Sequence, residues 1–201
     1  MKTREISRIV PDATALKALA HPVRLRMLGM LRIDGPATAT RLAERLGLNS
    51  GATSYHLRQL AQHGFIEEAP DQPSRRDRWW RARHESTSFF EPGATEEQFD
   101  SNVAFAQAAL TEQVNVMQRA QDEFVGLPPD WQATTQISDF TMAMTVEQAN
   151  ALKDKLLELL WQAMREAPGP GADLPPGVEL YTVMLHAFPY PGRLNTREAN
   201  K

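Results

Sequence analysis

The stretch TATRLAERLGLNSGATSYHLRQLAQHGFIEEA, residues 38–69, decides the fold of this chain. Its spacing predicts two short helices around a tight turn, leading into a strand. Thr38 can cap the first helix with its hydroxyl group, and Gly47 ends that helix at a point where glycine easily adopts a left-handed backbone. Asn49 then caps a second helix that runs to about His63. This is helix-turn-helix spacing, in which the second helix is the one that enters a DNA major groove.

A β-hairpin rich in arginine follows the second helix. Residues 65–69 predict one strand, a polar loop comes next, and residues 79–84 predict the return strand. Upstream, residues 13–35 predict two further helices, the second with Pro22 near its first turn, a position that tolerates proline. This order of helices followed by a hairpin, the wing, defines a winged helix-turn-helix domain. The arginines at or near the tip of the wing are Arg75, Arg76, Arg78, Arg81 and Arg83.

These residues resemble the ArsR-type family of bacterial transcription regulators. The segments that carry the resemblance are LKALAHPVRLRMLGML, RLAERLGLNSGATSYHLRQLAQHGFIE and RWWRAR, all within residues 12–84. The resemblance implies a dimeric DNA-binding regulator that usually represses and that releases DNA when it receives a signal. Metal-sensing members of the family carry cysteine thiolates as ligands, whereas this sequence has no cysteine. We therefore do not expect a sensor of thiophilic metals of that kind.

Charge is divided unevenly along the chain. Residues 1–84 hold 15 Lys or Arg and 8 Asp or Glu, a net charge of +7, whereas residues 85–201 hold 7 basic and 17 acidic residues, a net charge of −10. Basic residues often only solvate helix faces, but here they coincide with the helix-turn-helix motif. The asymmetry therefore indicates a nucleic-acid-binding half and a second half with another task.

Composition predicts a cytoplasmic protein without cofactors. The absence of cysteine fits a reducing compartment. No apolar run approaches the roughly 20 residues that a membrane span needs, and residues 1–12 lack the apolar core of a secretory signal. The five histidines form no spaced cluster, and no catalytic motif is present. We expect no metal site, no cofactor, no membrane partner and no enzymatic activity.

The second helix of the motif predicts which side chains meet DNA. With Leu57 and Leu60 directed inward, Thr53 joins the buried face, and the opposite side is offered to bases and phosphates. Arg58 can bind guanine through two hydrogen bonds or bind only a phosphate. His56 can contact DNA, but we favour its interpretation as a half-buried packing residue. The predicted DNA-binding residues are Thr38, Thr40, Asn49, Ser50, Gly51, Ser54, Tyr55, His56, Arg58, Arg75, Arg76, Arg78 and Arg81.

The second half of the chain begins with a long helix. Thr95 to Gln98 spells a capping box, T-x-x-Q, and the helical pattern extends to about Phe124. A helix of about 30 residues would run roughly 45 Å, too long for one small domain to cover. We expect it to pack against its own copy in a homodimer, and packing wholly within its own subunit is the alternative. The predicted dimerisation residues, which step by threes and fours, are Phe99, Val103, Ala106, Leu110, Val114, Met117 and Phe124.

The remaining residues predict a small α+β module. Residues 133–145 predict a strand, a second capping box at Thr145 to Gln148 starts a helix that runs to about Glu166, and residues 178–188 predict a last strand. The two strands can pair in parallel, or each can pair across a dimer. The predicted fold class is therefore mainly α with α+β: a winged helix-turn-helix domain, a long dimerisation helix and a small C-terminal α+β module.

Aromatic and methionine side chains of this module can line an apolar pocket for a small-molecule effector. Residues of these types more often form a core, and both interpretations remain open. The candidate pocket residues are Trp131, Met142, Met144, Trp161, Met164, Tyr181 and Met184.

Together these features predict a homodimeric transcription regulator, in the simplest case a repressor. Its DNA-binding domain comprises residues 1–90, and its dimerisation and effector-sensing domain comprises residues 91–201. Two recognition helices related by a two-fold axis predict an inverted-repeat operator with half-sites about one helical turn apart. Two alternatives stay open: a winged helix that docks onto another protein, and a regulator that binds DNA only together with its ligand.

Overall fold

The computed structural model describes residues 3–72, 77–88, 95–169, 171 and 174–194. The elements run in the order β1 (Arg8–Ile9), α1 (Ala13–Leu19), α2 (Pro22–Ile33), β2 (Ala37–Thr38), α3 (Ala39–Leu46), α4 (Ser50–Gln62), β3 (Ile66–Glu68), β4 (Trp79–Ala82), β5 (Ser86–Thr87), α5 (Glu96–Glu123), a 3-10 turn (Phe124–Gly126), α6 (Pro129–Gln132) and α7 (Val146–Glu166). The mainly helical architecture with a winged helix-turn-helix and a long helix is confirmed. Among the described helices, none combines the length and apolarity of a membrane span.

The helix-turn-helix is built on the capping residues that the sequence predicts. The Thr38 hydroxyl accepts a hydrogen bond from the Arg41 amide at 3.3 Å, and the Asn49 side-chain oxygen accepts one from the Ala52 amide at 2.8 Å. Gly47 follows α3 with a φ of 65°, a left-handed conformation that glycine adopts without strain. Local capping chemistry therefore sets the bounds of both helices.

The wing belongs to a three-stranded antiparallel sheet with the strand order β2-β4-β3. Glu67 of β3 lies opposite Arg81 of β4, and Ala37 of β2 lies opposite Trp80 of β4. The predicted hairpin is confirmed, although both strands are shorter than the pattern indicates. Strand β2 and the parallel pair of β1 with β5 carry no sequence signal, because a strand of two residues shows no alternation.

The core lies where α1, α2, α4 and the sheet meet. Met27 and Leu57 are fully buried there, and burying such a side chain contributes roughly 1.5–3 kcal/mol. Thr53 is also fully buried, and its hydroxyl donates to the Asn49 carbonyl at 3.0 Å, so this buried polar group is satisfied. The inward face predicted for α4, which also includes Leu60, is confirmed, and the opposite face of the helix is left to solvent.

The long helix α5 has one face buried in its own subunit and an apolar stripe that is largely exposed. It spans 28 residues, about 42 Å, and begins with the predicted capping box at Thr95. Phe105 is buried against the core of the winged helix, and α5 packs on α1 and α2. Since 3.6 residues make a turn, the predicted dimerisation stripe lies on the other side of the helix from Phe105. Most of that stripe is exposed, at Phe99, Val103, Leu110, Val114 and Met117.

The two predicted C-terminal strands are not formed in the single chain. Helix α7 starts at its predicted capping box on Thr145. Residues 136–144 and 178–190, however, are assigned to no strand, and no backbone hydrogen bond joins these two segments. An apolar pattern predicts a strand, but a strand also needs a neighbouring backbone edge. The strand predictions for 133–145 and 178–188 are therefore wrong for one isolated subunit, because neither segment pairs with a strand among the described residues.

Three contacts join the end of α7 and the residues after it to the winged helix. The Arg4 amide donates to the Arg165 carbonyl at 3.1 Å, and the Arg4 guanidinium donates to the Ala167 carbonyl at 2.9 Å. Gly171 approaches Gly35 so closely that a Cβ on Gly171 would lie 3.0 Å from the Gly35 Cα. The C-terminal end of α7 is thereby held beside the turn between α2 and β2.

Candidate nucleic-acid interface

The solvent face of α4 is a row of small and polar side chains with one arginine. Ser50, Gly51, Tyr55 and Arg58 are exposed, and Ser54 is half-buried. Hydroxyl, phenol and guanidinium groups all form hydrogen bonds with base edges and phosphates. The face opposite the core therefore has the chemistry that the sequence predicts for a recognition helix.

A groove of about 280 Å³ runs beside this face. It is lined by the start of α3, the middle of α4 and the start of β4. Five predicted DNA-binding residues meet in it: Thr38, Thr40, Ser54, Arg58 and Arg78. Thr38 is buried and its hydroxyl group caps α3, so Thr40, which is exposed, is the α3 residue that can reach a ligand in the groove.

The first turn of α4 is open to an anion. Asn49, Ser50 and Gly51 are all exposed. A Cβ on Gly51 would lie 3.3 Å from the side-chain oxygen of Asn49, so glycine leaves the helix cap undisturbed. The free amides and the dipole at a helix N-terminus favour phosphate, and this end of α4 is therefore suited to a backbone phosphate of DNA.

The described wing arginines are paired with acidic residues of the same sheet. Arg81 Nη2 lies 2.7 Å from a carboxylate oxygen of Glu67, and Arg83 Nε lies 3.4 Å from the other oxygen of Glu67. Exposed ion pairs of this kind contribute only about 0–1 kcal/mol, so a phosphate can compete for both arginines. The wing-tip residues Arg75 and Arg76 lie outside the described residues.

Arginine and tryptophan side chains stack at the base of the wing. Arg78 lies over the Trp80 ring at 5.7 Å and pairs with Glu68 at 3.2 Å. Arg41 of α3 lies over the Trp79 ring at 4.7 Å. Arg41 is exposed and follows the groove residue Thr40 in the chain, but it is not among the residues predicted from sequence to bind DNA. No local signal marks it, because the contact with Trp79 joins two residues that are far apart in the chain.

Two histidines pack together on the flank of α4. The ring centroids of His21 and His56 are 4.7 Å apart, and His21 Nδ1 accepts a hydrogen bond from the Val23 amide at 3.2 Å, which caps α2. Burial first, and then the charge of Arg24, lower the pKa of His21 below its ordinary value of 6.5. Burial, His21 and Arg24 likewise lower the pKa of His56. Both rings are therefore mainly neutral at pH 7, and His56 packs as a half-buried residue.

The predicted effector-pocket residues do not enclose a cavity within one chain. Met142, Met144 and Tyr181 are 42–59% exposed. The other four are half-buried: Trp131, Trp161, Met164 and Met184. The Tyr181 hydroxyl donates to the Thr134 carbonyl at 2.8 Å, which brings the two extended C-terminal segments near each other. Within the described ranges, no three potential metal-ligating side chains gather at one place.

A helix-turn-helix with a paired wing and an exposed second helix defines the winged helix-turn-helix class of domain. Residues 19–69 match the family described as "Helix-turn-helix domain". The HTH-type transcriptional regulator YgaV of Escherichia coli (strain K12) is 39% identical over 59 residues, which cover 29% of this chain and 60% of the relative. The HTH-type transcriptional regulator NmtR of Mycobacterium tuberculosis is 44% identical over 54 residues, which cover 27% of this chain and 44% of the relative. The chain thus spans about half the length of these curated relatives.

Solved structures with local similarity to this chain include proteins from Mycobacterium bovis and Vibrio cholerae. The homodimeric winged helix-turn-helix DNA-binding domain of Mb0332 from Mycobacterium bovis has 23% identity and a TM-score of 0.32, over 56% of this chain and 83% of that chain. Reduced HlyU from Vibrio cholerae has 23% identity and a TM-score of 0.31, over 49% of this chain and 82% of that chain.

Proposed function

We propose that this protein is a homodimeric, ArsR-like transcription regulator that binds double-stranded DNA through the groove beside α4. The observation that carries the proposal is the meeting of Thr40, Ser54, Arg58 and Arg78, from three elements, in one open groove. In this arrangement α4 enters the major groove, and the wing contacts phosphates or the adjacent minor groove. The similarity to the HTH-type transcriptional regulators YgaV and NmtR supports the same function.

The exposed stripe of α5 supports the homodimer. Five large apolar side chains of this stripe are uncovered in one subunit, and a two-fold axis along the stripe would bury them against their own copies. Such a dimer presents two copies of α4 to one face of DNA. The operator is then an inverted repeat whose half-sites lie about one helical turn apart, and the ArsR resemblance favours repression as the outcome.

A winged helix that docks onto another protein is the second candidate function. The observation that favours it is the pairing of both Arg81 and Arg83 with Glu67 of the same sheet. Arginines that already have an acidic neighbour gain less from binding a phosphate, and a wing with paired charges is compatible with a protein surface. Binding of a protein partner would depend weakly on salt and would not be displaced by duplex DNA.

Replacing Arg58 tests the DNA-binding proposal. Arg58→Ala should weaken binding to a duplex selected for this protein by roughly 1–3 kcal/mol and relax the sequence preference, because Arg58 is the exposed cation of the recognition helix. Fluorescence anisotropy titration measures both effects. Arg119→Ala is the matched control, since it removes the same charge from an exposed position on α5.

The outcomes separate the roles of Arg58. A loss on the selected duplex that exceeds the loss on random duplex makes Arg58 a base contact. An equal loss on both makes it a phosphate contact. If Arg58→Ala binds DNA as tightly as Arg119→Ala does, the groove beside α4 is not the DNA site. If neither the wild type nor the variants bind DNA, the protein-docking function becomes the better explanation.

A further inference from the structure

The C-terminal unit, defined here as the described residues between 129 and 194, contains no buried apolar side chain in the single chain. Helix α7 has a clear apolar stripe, yet none of its 21 residues is buried. Leu159 on α7 is 63% exposed, Phe140 is 81% exposed and Val183 is 56% exposed. Helices in water owe most of their stability to packing of an apolar face, so this unit needs a cover that one chain does not supply.

The total solvent-accessible surface area of the chain indicates how much area a partner can bury. A single chain exposes 15,001 Å², whereas a compact monomer of 22.6 kDa exposes about 9,500 Å². The excess is therefore on the order of 5,500 Å². A standard interface buries about 800 Å² of each partner, and obligate homodimers bury a total of about 2,000–5,000 Å². Each subunit of an obligate homodimer contributes half of that total, about 1,000–2,500 Å². The excess of one chain therefore exceeds what an obligate interface needs, and it is too large for a small-molecule site alone.

The two extended segments have the properties of strands that lack a partner. Residues 136–144 contain one charged residue, Asp139, and residues 178–188 contain one, Glu179, beside the single His186. Free edge strands in stable monomers are protected by charged side chains, proline or bulges, and these segments have almost none of that protection. Residues 178–188 are apolar on both faces of an extended chain, as in a strand that is covered on both sides.

The extent of the exposed apolar surface favours a second copy of the chain as the partner that buries it. The exposed surface includes the apolar stripe of α7 and the backbone edges of the two extended segments. A partner that binds only transiently would therefore leave the unit poorly packed for most of the time. A permanent partner in equal amount is most simply the same chain. The exposed stripe of α5 leads into the unit through the turn at 124–126, so one two-fold interface can cover both.

We propose that the C-terminal units of two copies interlock. Residues 178–188 of each chain form a strand with the extended segments of the partner, and the partner covers the apolar stripe of α7. This inference rests on the homodimer of the proposed function and deepens it, because it makes the C-terminal unit, and not α5 alone, an obligate part of the interface. The candidate pocket residues on these segments then become core residues of the dimer.

Glutamate substitutions at exposed apolar positions test the interlocked dimer. Leu159→Glu and Val183→Glu change side chains that one chain leaves in water, so a monomeric unit would tolerate both. If the partner covers these positions, each substitution should raise the dimer dissociation constant roughly 10- to 100-fold, the equivalent of losing one buried apolar side chain. Sedimentation velocity over a range of concentrations measures this constant for the full chain. Glu158→Gln on the exposed side of α7 is the matched control.

Each result has a defined meaning. Dissociation by both glutamate variants, but not by the control, supports the interlocked dimer. Dimers of unchanged affinity in both variants overturn it, and if those dimers still bind DNA, the proposed function stands with α5 as its interface. A wild-type chain that sediments as a monomer overturns the interlocked dimer, and if that monomer also fails to bind DNA, the proposed function fails with it.

Amide hydrogen exchange gives a second test that needs no variant. Backbone amides of residues 178–188 should be protected as in a strand when the wild-type protein is dimeric, and the protection should disappear when dilution separates the subunits. Unprotected amides in the dimer, or protection that persists in the monomer, would contradict pairing between two copies.

Discussion

At the residue scale, the exposed arginines differ in whether an acidic side chain lies beside them. Arg58 has no acidic partner among the residues that the structure describes. Glu67, in contrast, holds both Arg81 and Arg83. A phosphate meets Arg58 directly, whereas it must displace a carboxylate to bind either wing arginine. We therefore expect Arg58 to contribute more to DNA affinity than either of these wing arginines.

Removing the charge of Glu67 should free the wing arginines Arg81 and Arg83 to bind phosphate. In Glu67→Gln both Arg81 and Arg83 lose their anionic partner, so DNA affinity should rise at low salt. The log–log dependence of affinity on salt should steepen by up to about two counterions. Titrations at several salt concentrations measure the slope, with Glu44→Gln, an exposed residue of α3, as the control for net charge. An unchanged slope would mean that the wing stays away from the phosphates.

The packed pair of His21 and His56 should make stability depend on pH. Burial lowers the pKa of both rings below 6.5 in the folded protein, so the unfolded chain takes up protons first as the pH falls. Their contribution to stability is therefore complete above the unfolded pKa and is lost as the pH falls toward the lower, folded pKa. Thermal unfolding at about pH 7.5 and about pH 5.5 measures the loss.

The variant His56→Gln should show a smaller drop in melting temperature between these two pH values than the wild type. Part of the drop should remain, because burial also lowers the pKa of His84. His63→Gln, which removes a histidine at the C-terminal end of α4 outside the packed pair, is the control. A drop of equal size in His56→Gln would show that the histidine pair does not carry the pH dependence.

At the element scale, one side of α5 packs within its own subunit, and we expect the other side to pack against the partner subunit. Phe105→Ala should lower the free energy of unfolding by roughly 3–5 kcal/mol, since Phe105 belongs to the core of the winged helix. Phe99→Ala, the same change on the other side of α5, removes a side chain that is 57% exposed in one subunit. It should weaken the dimer and leave the fold of each winged helix intact.

Urea unfolding at one protein concentration, together with sedimentation velocity, distinguishes these two effects on α5. If the Phe99→Ala protein sediments like the wild type, the exposed stripe of α5 is not part of the dimer interface. A Phe105→Ala protein of wild-type stability would show that α5 does not complete the winged-helix core.

The elements that could be predicted from sequence are those defined by near neighbours. Thr38, Asn49, Thr95 and Thr145 each cap a helix through residues three positions away, so a short pattern suffices to find them. The buried face of α4 follows from helical period in the same way. These local signals explain why the helix-turn-helix and both long helices were predicted close to their observed bounds.

The elements that sequence did not predict depend on distant partners. Strand β2 exists because it pairs with β4, some forty residues later in the chain, and Arg41 stacks on Trp79, which is nearly as distant in sequence. Residues 133–145 and 178–188 show the opposite case, because their strand-like pattern has no paired strand among the described residues. No apolar pattern marks the burial of Phe105, because the residues of α5 that are buried with it, Ser101 and Asn102, are polar.

At the scale of the whole molecule, charge and exposed surface divide the chain into two parts. The net charge of +7 on residues 1–84 contrasts with −10 on residues 85–201, so DNA is attracted to the winged helix and repelled from the rest. Most of the exposed large apolar side chains lie in the second part. A dimer joined through α5 and the C-terminal units would therefore keep both winged helices free to bind one duplex.

Selection of bound duplexes from a randomised DNA library, at two salt concentrations, tests DNA recognition by this dimer most directly. We expect enrichment of an inverted repeat with half-sites about one helical turn apart, and an affinity that falls steeply as salt increases. Enrichment of a single half-site would contradict the dimer. If no sequence is enriched at either salt concentration, the groove beside α4 does not read DNA on its own.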